Sequence, residues 1–229
     1  MKKFFLIFFL FYPILSYSQG WSLEYSAGYG SYKLKDIRSI QRLMLNSTFH
    51  DYGLKEIAYF PNYITHSVAI GFDTGHHHFG SSFSYLTTGG RLHRADYSGS
   101  FKVDMIMNGY RLGAFYRYYF DLGYSPLMIY LQLGSGVIFS ELKMTEQVHV
   151  YSVSEEESIR LNGIGGYIEP SFGAKYRFTD WLYFSLGGGY EFDFQSVLKY
   201  KEQKTLVKAN WDGLRINAGL IFIIPTKKN

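Results

Sequence analysis

The segment Asn108–Phe120 has the sequence NGYRLGAFYRYYF, and its alternation decides the fold. Every second position carries a large apolar or aromatic side chain, or alanine. The positions between them hold glycine, further aromatic side chains and the two arginines, Arg111 and Arg117. Successive side chains of a β-strand point to opposite faces, so a period of two predicts a strand between two different environments. One face is expected to be apolar and the other to hold charge.

The same alternation recurs along the chain and predicts an all-β fold of about eight antiparallel strands. The predicted strands are Ser22–Tyr32, Tyr63–Asp73, His77–Thr87, Asn108–Phe120, Leu127–Ser140, Gly165–Phe178, Trp181–Gln195 and Gly213–Ile224. Short turns alternate with long connections, which are Lys33–Asn62, Thr88–Met107, Glu141–Ile164 and Ser196–Asp212. Tight turns at one end and long loops at the other are typical of a closed up-and-down transmembrane β-barrel. The spacing of apolar residues predicts a short helix within Lys35–Phe49.

The N-terminus predicts a secretory signal peptide that is cleaved after residue 18. Lys2 and Lys3 are followed by the apolar run Phe4–Leu15, with Ser16 and Ser18 at the small-residue positions of a cleavage site. That run is too short for a membrane-spanning helix, which needs about 20 residues. Residues 19–229 are then the barrel domain. No later segment has the pattern of a spanning helix, so a membrane location requires a closed barrel.

Charge and composition exclude several function classes. Without Lys2 and Lys3, 21 basic residues face 19 acidic ones, so the predicted mature chain is nearly neutral and no nucleic-acid partner is expected. The chain has no cysteine, which removes disulfide and thiolate chemistry. Aromatic residues make up 20% of the chain, and there are 24 glycines. This composition favours many close-packed strands with aromatic girdles at a membrane interface.

The alternation alone does not say which face points inward, because a soluble carrier barrel would hide its apolar face and a membrane barrel would expose it. The polar faces carry as many bases as acids, and the other faces carry large apolar side chains that water would tolerate poorly. We therefore predict a polar network inside the barrel, built as structural ion pairs, with a pore or proton path as the alternative. Its members are Glu24, Asp73, Arg111, Arg117, Glu169, Lys175, Arg177, Glu191, Asp193 and Arg215.

No catalytic, cofactor or metal site is predicted elsewhere. His76, His77 and His78 are adjacent on a strand, so their side chains cannot easily converge on one metal ion. His66 and Ser67 are also adjacent and are expected to face apart, which argues against a nucleophile and base pair.

With its signal peptide, its alternating connections and strands such as Tyr110–Phe120 and Trp181–Phe194, the chain resembles the small outer-membrane β-barrels of Gram-negative bacteria. These include porin-like proteins and the transmembrane domain of the outer membrane protein A type. The resemblance implies an outer-membrane location with both termini periplasmic. It implies contact with membrane lipid and lipopolysaccharide, and allows an outer-membrane protein partner. The implied function is a non-enzymatic membrane anchor, surface-interaction module or accessory subunit. A narrow channel, a lipid A-modifying enzyme and a soluble carrier remain alternatives.

Overall fold

The computed structural model describes residues 20–48, 55–97, 99–123, 126–150, 153–201 and 203–225, so the predicted signal peptide lies outside the described residues. Eleven strands form one antiparallel sheet. They are β1 (Gly20–Gly30), β2 (Lys55–Tyr59), β3 (Tyr63–Thr74), β4 (His77–Asp96), β5 (Gly99–Asp121), β6 (Leu127–Val150), β7 (Val153–Arg177), β8 (Leu182–Asp193), β9 (Ser196–Tyr200), β10 (Gln203–Ala209) and β11 (Gly213–Pro225).

The predicted helix is present as α1 (Lys35–Leu43), and a π-helical turn, Met44–Thr48, continues it. Ile37 and Gln41, one turn apart, are its buried residues, whereas Leu43 is exposed, so the buried side of the helix includes a glutamine. None of the helices in the described part of the chain has the length and apolar character needed to span a bilayer.

Eight of the strands close into a ring, which confirms the predicted fold class. Going around the ring, β1 pairs with β3, followed by β4, β5, β6, β7, β8 and β11, and β11 pairs back with β1. Leu23, for example, lies opposite Ile70 of β3 on one side and Phe222 of β11 on the other. The closed ring leaves these strands no unpaired edge, which is the condition for a sheet to cross a membrane.

The apolar faces point outward from the ring. Leu112, Leu131 and Phe172 are exposed by 54%, 57% and 67%, whereas Arg111 and Arg117 on the opposite face are buried. Aromatic side chains flank this apolar belt at both ends, with Trp21 packed on Phe72 at one end and Tyr85 on Tyr110 at the other. An apolar outside over a charged inside is the reverse of a soluble carrier and matches a barrel solvated by lipid.

Glycines on the inward face make room for large aromatic side chains. A Cβ atom at Gly173 or Gly187 would lie 2.5 Å from the hydroxyl oxygen of Tyr130, and one at Gly113 would overlap the Tyr167 hydroxyl. Tyr130 and Tyr167 are both buried. Pairing small with large residues fills an interior that is only as wide as its side chains.

The structure corrects the prediction of long loops. Strands β4 to β7 are 20 to 25 residues long, so most of Thr88–Met107 and Glu141–Ile164 is strand and not loop. A tilted strand needs only about 9–11 residues to cross a bilayer, so these strands continue far beyond the belt. Strand β2 pairs with β4 at one edge of this extended sheet, and the β9–β10 hairpin follows β7 at the other.

The extended sheet and α1 form a cap over one mouth of the barrel, with an apolar core of its own. In this part of β5 the inward side chains are apolar, as at Met105 and Met107, and the outward ones are polar at Lys102 and Asp104 but apolar at Ile106. Helix α1 contacts β10 and β4, and so lies across the gap between the two edges. The cap core consists of Tyr32, Leu34, Ile37, Phe60, Leu86, Met105, Met107, Ile138, Leu142, Leu161, Tyr167, Leu198, Ala209 and Trp211.

Candidate functional site

The half of the barrel interior nearest the cap is organised around one carboxylate, that of Glu191. Its Oε2 atom forms a salt bridge with Arg111 Nη1 at 2.8 Å and accepts a hydrogen bond from Arg215 Nη2 at 3.0 Å. Arg111 also donates to Glu169. All four side chains are buried, and Glu191 is fully enclosed. Strands β5, β7, β8 and β11 supply one residue each, so the cluster connects strands that are not neighbours in the ring.

The other half of the interior is organised around Arg117. Its guanidinium group donates to Glu24 Oε2 at 3.1 Å and to Gln132 Oε1 at 2.8 Å. Lys175 places its Nζ atom 4.6 Å from the ring centre of Tyr119. Tyr119 in turn accepts a hydrogen bond from Arg117 Nη1 at 3.1 Å. The charges of this half are thus held by one ion pair and by neutral acceptors and aromatic rings.

Three members of the predicted network lie away from these two clusters. Asp73 is partly buried and lines the mouth at the end with the short turns, together with Lys175. Asp193 is buried on the cap side, where its carboxylate accepts the backbone N–H of Trp211 at 2.8 Å. Arg177 corrects the prediction, because it is the last residue of β7 and is exposed where the strand leaves the barrel.

Tyr167 and Tyr130 belong to the interior but were not among the predicted residues. The Arg111 guanidinium carbon lies 4.1 Å from the ring centre of Tyr167, and that of Arg117 lies 4.5 Å from Tyr130. Cation–π contacts of this kind stabilise a desolvated cation. The signal in the sequence was an aromatic residue on the glycine-rich polar face of a strand.

The cap closes the interior on one side. Trp211 is fully buried, donates from Nε1 to the Ser140 hydroxyl at 2.9 Å, and packs edge-on against Tyr32 with ring centres 5.0 Å apart. Arg215 donates to the Trp211 carbonyl oxygen at 2.9 Å, which joins the cap core to the charged cluster. Between the two charged clusters there remains a cavity of about 70 Å³, lined by Glu24, Arg111, Arg117 and Glu169 among others.

A closed ring, an outward apolar belt with aromatic ends and a buried charged interior are now established together. The chain has the fold of a small outer-membrane β-barrel. That assignment rests on the hydrogen-bonded ring and on the direction of its side chains.

Comparisons with known proteins find solved structures of low sequence identity and no matching sequence. No family model and no curated protein sequence matches the chain. Among solved structures, Neisserial surface protein A is 13% identical with a TM-score of 0.38, over 89% of this chain and 97% of that one. The N-terminal β-barrel domain of Pseudomonas aeruginosa OprF is 14% identical with a TM-score of 0.34, over 90% and 100% of the two chains. Ail of Yersinia pestis, in complex with the heparin analogue sucrose octasulfate, is 14% identical with a TM-score of 0.35, over 89% and 97%.

The histidines of the barrel have separate partners. His76 Nδ1 contacts the Tyr119 carbonyl oxygen at 3.2 Å, His77 Nδ1 contacts the Tyr116 hydroxyl at 2.8 Å, and His78 Nε2 contacts the buried Ser22 hydroxyl at 2.8 Å. In the described part of the chain, no group of three or more His, Asp or Glu side chains could hold a metal ion.

His66 and Ser67 also point to different partners. His66 Nδ1 lies 3.0 Å from the Tyr25 hydroxyl on the outer surface, whereas the Ser67 hydroxyl donates to Ser84 at 2.8 Å. His66 and Ser67 are therefore not paired with each other as base and nucleophile.

Proposed function

We propose that this protein is a non-conducting, non-enzymatic outer-membrane barrel that anchors its cap at the cell surface. The cap then serves as an interaction module or as an accessory subunit of an outer-membrane complex. The observation that carries the proposal is the closure of the interior, because two charged clusters fill the barrel and the apolar cap core covers its mouth.

The size of the remaining space argues against a channel. A cavity of about 70 Å³ separates the charged clusters, and a water molecule takes up roughly 30 Å³ of liquid volume. A few waters fit there. A continuous water column would have to pass both Glu191 and Trp211, and these fully buried side chains would have to move. Such a movement would also separate the buried ion pairs of Glu191, and a buried charge left without its partner is strongly destabilising.

The extent of the cap argues for a function beyond anchoring. An eight-stranded ring needs only short turns to close, yet β4 to β7 continue well past the belt and carry a separate apolar core. Functional residues tend to lie on segments that a rigid scaffold positions. In this proposal the leader 1–18 is cleaved, both termini are periplasmic and the cap faces outward. The barrel contacts membrane lipid and lipopolysaccharide, and the cap is available to an outer-membrane protein partner.

The first experiment measures conductance. Purified full-length protein, with folding checked by a heat-modifiable gel shift, is added to planar lipid bilayers, and a folded porin serves as the positive control. We expect no conductance steps from the folded protein. Regular steps that scale with the folded fraction would overturn the proposal of a closed barrel and establish a channel.

The second experiment identifies what accompanies the protein. The tagged chain is purified from native outer membranes in mild detergent, and the co-purifying proteins are quantified. A stoichiometric partner that is lost when Glu155, Glu156 and Glu157 at the exposed end of β7 are changed to glutamine would assign the cap as its docking surface. Recovery of a monomer alone would overturn the accessory-subunit part of the proposal.

A further inference from the structure

A cleft opens on the outside of the protein where the β9–β10 hairpin diverges from β7. It has a volume of about 990 Å³. Tyr110, Phe139 and Ile164, at the edge of the apolar belt, form one part of its lining, and Lys199, Lys201 and Lys204 of the hairpin form another. The cleft is therefore apolar where it meets the belt and basic where it meets the cap.

Two of these lysines lie directly opposite each other. Lys199 and Lys204 are cross-strand neighbours in the hairpin, and both are exposed. Like charges in this arrangement repel and destabilise the pairing. Within the described residues, which do not include Glu202, neither ammonium group has a carboxylate within salt-bridge distance.

A second pair of opposed cations lies nearby on the same outward face. Lys143 of β6 and Arg160 of β7 are cross-strand neighbours. They are two residues beyond the pair Glu141 and Asn162, and Asn162 in turn lies opposite Lys199. Among the described residues, these two adjacent cation pairs lie beside one carboxylate, that of Glu141, so this face has an excess of positive charge that an anion between the strands would relieve.

The height of the cleft identifies the kind of anion. Lys199 lies opposite Asn162, only two residues beyond Ile164, which is 66% exposed and ends the apolar belt on β7. Ammonium groups at this level meet the polar headgroups of the adjoining lipid leaflet, while the apolar lining meets acyl chains. A soluble anion would use the lysines and leave the apolar lining without a ligand.

We propose that this cleft binds a phosphorylated lipid of the outer leaflet. Its phosphate lies between Lys199 and Lys204, and its acyl chains lie along Phe139 and Ile164. The inference rests on the proposed orientation of the cap toward the cell surface. It gives the cap a fixed lipid neighbour, which would hold the hairpin at a defined height on the membrane.

The test counts lipids bound to the purified full-length protein by native mass spectrometry. The probes are lipid A with its phosphates and the same lipid A after dephosphorylation. The variant is Lys199→Gln with Lys204→Gln, and the matched control is Lys35→Gln with Lys55→Gln, two exposed lysines outside the cleft. Each lysine beside a membrane phosphate strengthens binding roughly 5-fold, so we expect the double variant to bind phosphorylated lipid A about 25-fold more weakly than wild type.

The outcomes separate the sources of the anion. Loss of the phosphorylated lipid in the cleft variant but not in the control, with weak binding of the dephosphorylated lipid throughout, supports the proposal. Equal binding by variant and wild type, equal binding of the two lipids, or full displacement of the lipid by inorganic phosphate would overturn it. Lipid binding and conductance are measured independently. The lipid-binding result would therefore remain valid even if the bilayer experiment showed a channel.

Discussion

Residues of the barrel interior contribute unequally to stability, and we expect a large contribution from Glu191. Its carboxylate is fully buried and serves two arginines, Arg111 and Arg215. In Glu191→Gln the shape is kept but the charge is lost. Arg111 then retains Glu169, whereas Arg215 loses the carboxylate with which it forms its salt bridge among the described residues. We expect a loss of about 3–5 kcal/mol in the free energy of unfolding, measured by urea unfolding of the protein folded into lipid vesicles.

The matched control for this prediction is Glu155→Gln, in the exposed part of β7. An exposed carboxylate contributes little to stability, so this variant should unfold at the wild-type urea concentration. If Glu191→Gln also unfolds at the wild-type urea concentration, the ion pairs of the interior do not stabilise the barrel.

Asp104 lies beyond the belt and gives the cap a dependence on pH. Burial raises the pKa of Asp104, but hydrogen bonds from Arg91 and Lys102 outweigh that effect and hold it below its usual value. An unfolded aspartate titrates near pH ~3.9. The stabilisation is thus complete above that pH and is lost as the pH falls through the lower, folded-state pKa.

The measurement compares wild type with Asp104→Asn between neutral and strongly acidic pH, using thermal unfolding of the cap. Wild type should be the more stable protein at neutral pH, and the difference should vanish in strong acid. Other carboxylates titrate equally in both proteins and cancel. A difference that stays constant down to the lowest pH would refute the assignment.

At the scale of the strands, the sequence was sufficient for the ring but not for the cap. All eight ring strands follow the alternation from which they were predicted. The cap strands were missed because the alternation changes its sign along β5. From Arg111 to Arg117 the arginines point inward and Leu112 points outward, whereas from Val103 to Met107 the inward side chains are apolar. Because the apolar side chains change from the outward face to the inward face along one strand, the alternation is interrupted and looks, in sequence, like the end of a strand.

The charged interior was foreseeable for a related reason, since a charge on a strand between apolar neighbours must turn inward in a lipid-solvated barrel. The pairing was not foreseeable. Arg111 meets Glu191 across the barrel, and the sequence does not contain the tilt and stagger that bring these two strands face to face. Arg177 follows the same alternation as Lys175 yet lies past the end of the packed interior.

The cap core depends on Trp211, which joins α1's side of the cap to the barrel wall through Tyr32 and Ser140. Trp211→Ala leaves a large cavity, and we expect a loss of about 3–5 kcal/mol. The belt does not include this residue, so the ring should still form. The prediction is faster limited proteolysis in the cap with an unchanged heat-modifiable shift. Leu206→Ala, at a side chain that is almost fully exposed on β10, is the control and should leave proteolysis unchanged.

For the whole molecule, the strand pairing of the closed ring determines which turns lie at the same end of the barrel as the first and last described residues. Gly20 of β1 lies opposite Pro225 of β11 and Asp73 of β3, so the first and last described residues lie at the same end as the turn at Gly75. Tyr97, fully exposed at the far end of β4, lies on the opposite side of the belt. Short turns face the periplasm in barrels of this type, and longer connections face outward.

This relation yields a test of orientation. An epitope inserted after Tyr97 should be labelled by antibody on intact cells, and one inserted after Gly75 should be labelled only after the outer membrane is permeabilised. Both insertions extend turns, so neither interrupts the ring, and the heat-modifiable shift verifies that each variant folds. Labelling of the Gly75 insertion on intact cells would show that the barrel has the opposite orientation in the membrane. The cap and its lysine cleft would then face the periplasm, and the lipid they meet would be that of the inner leaflet.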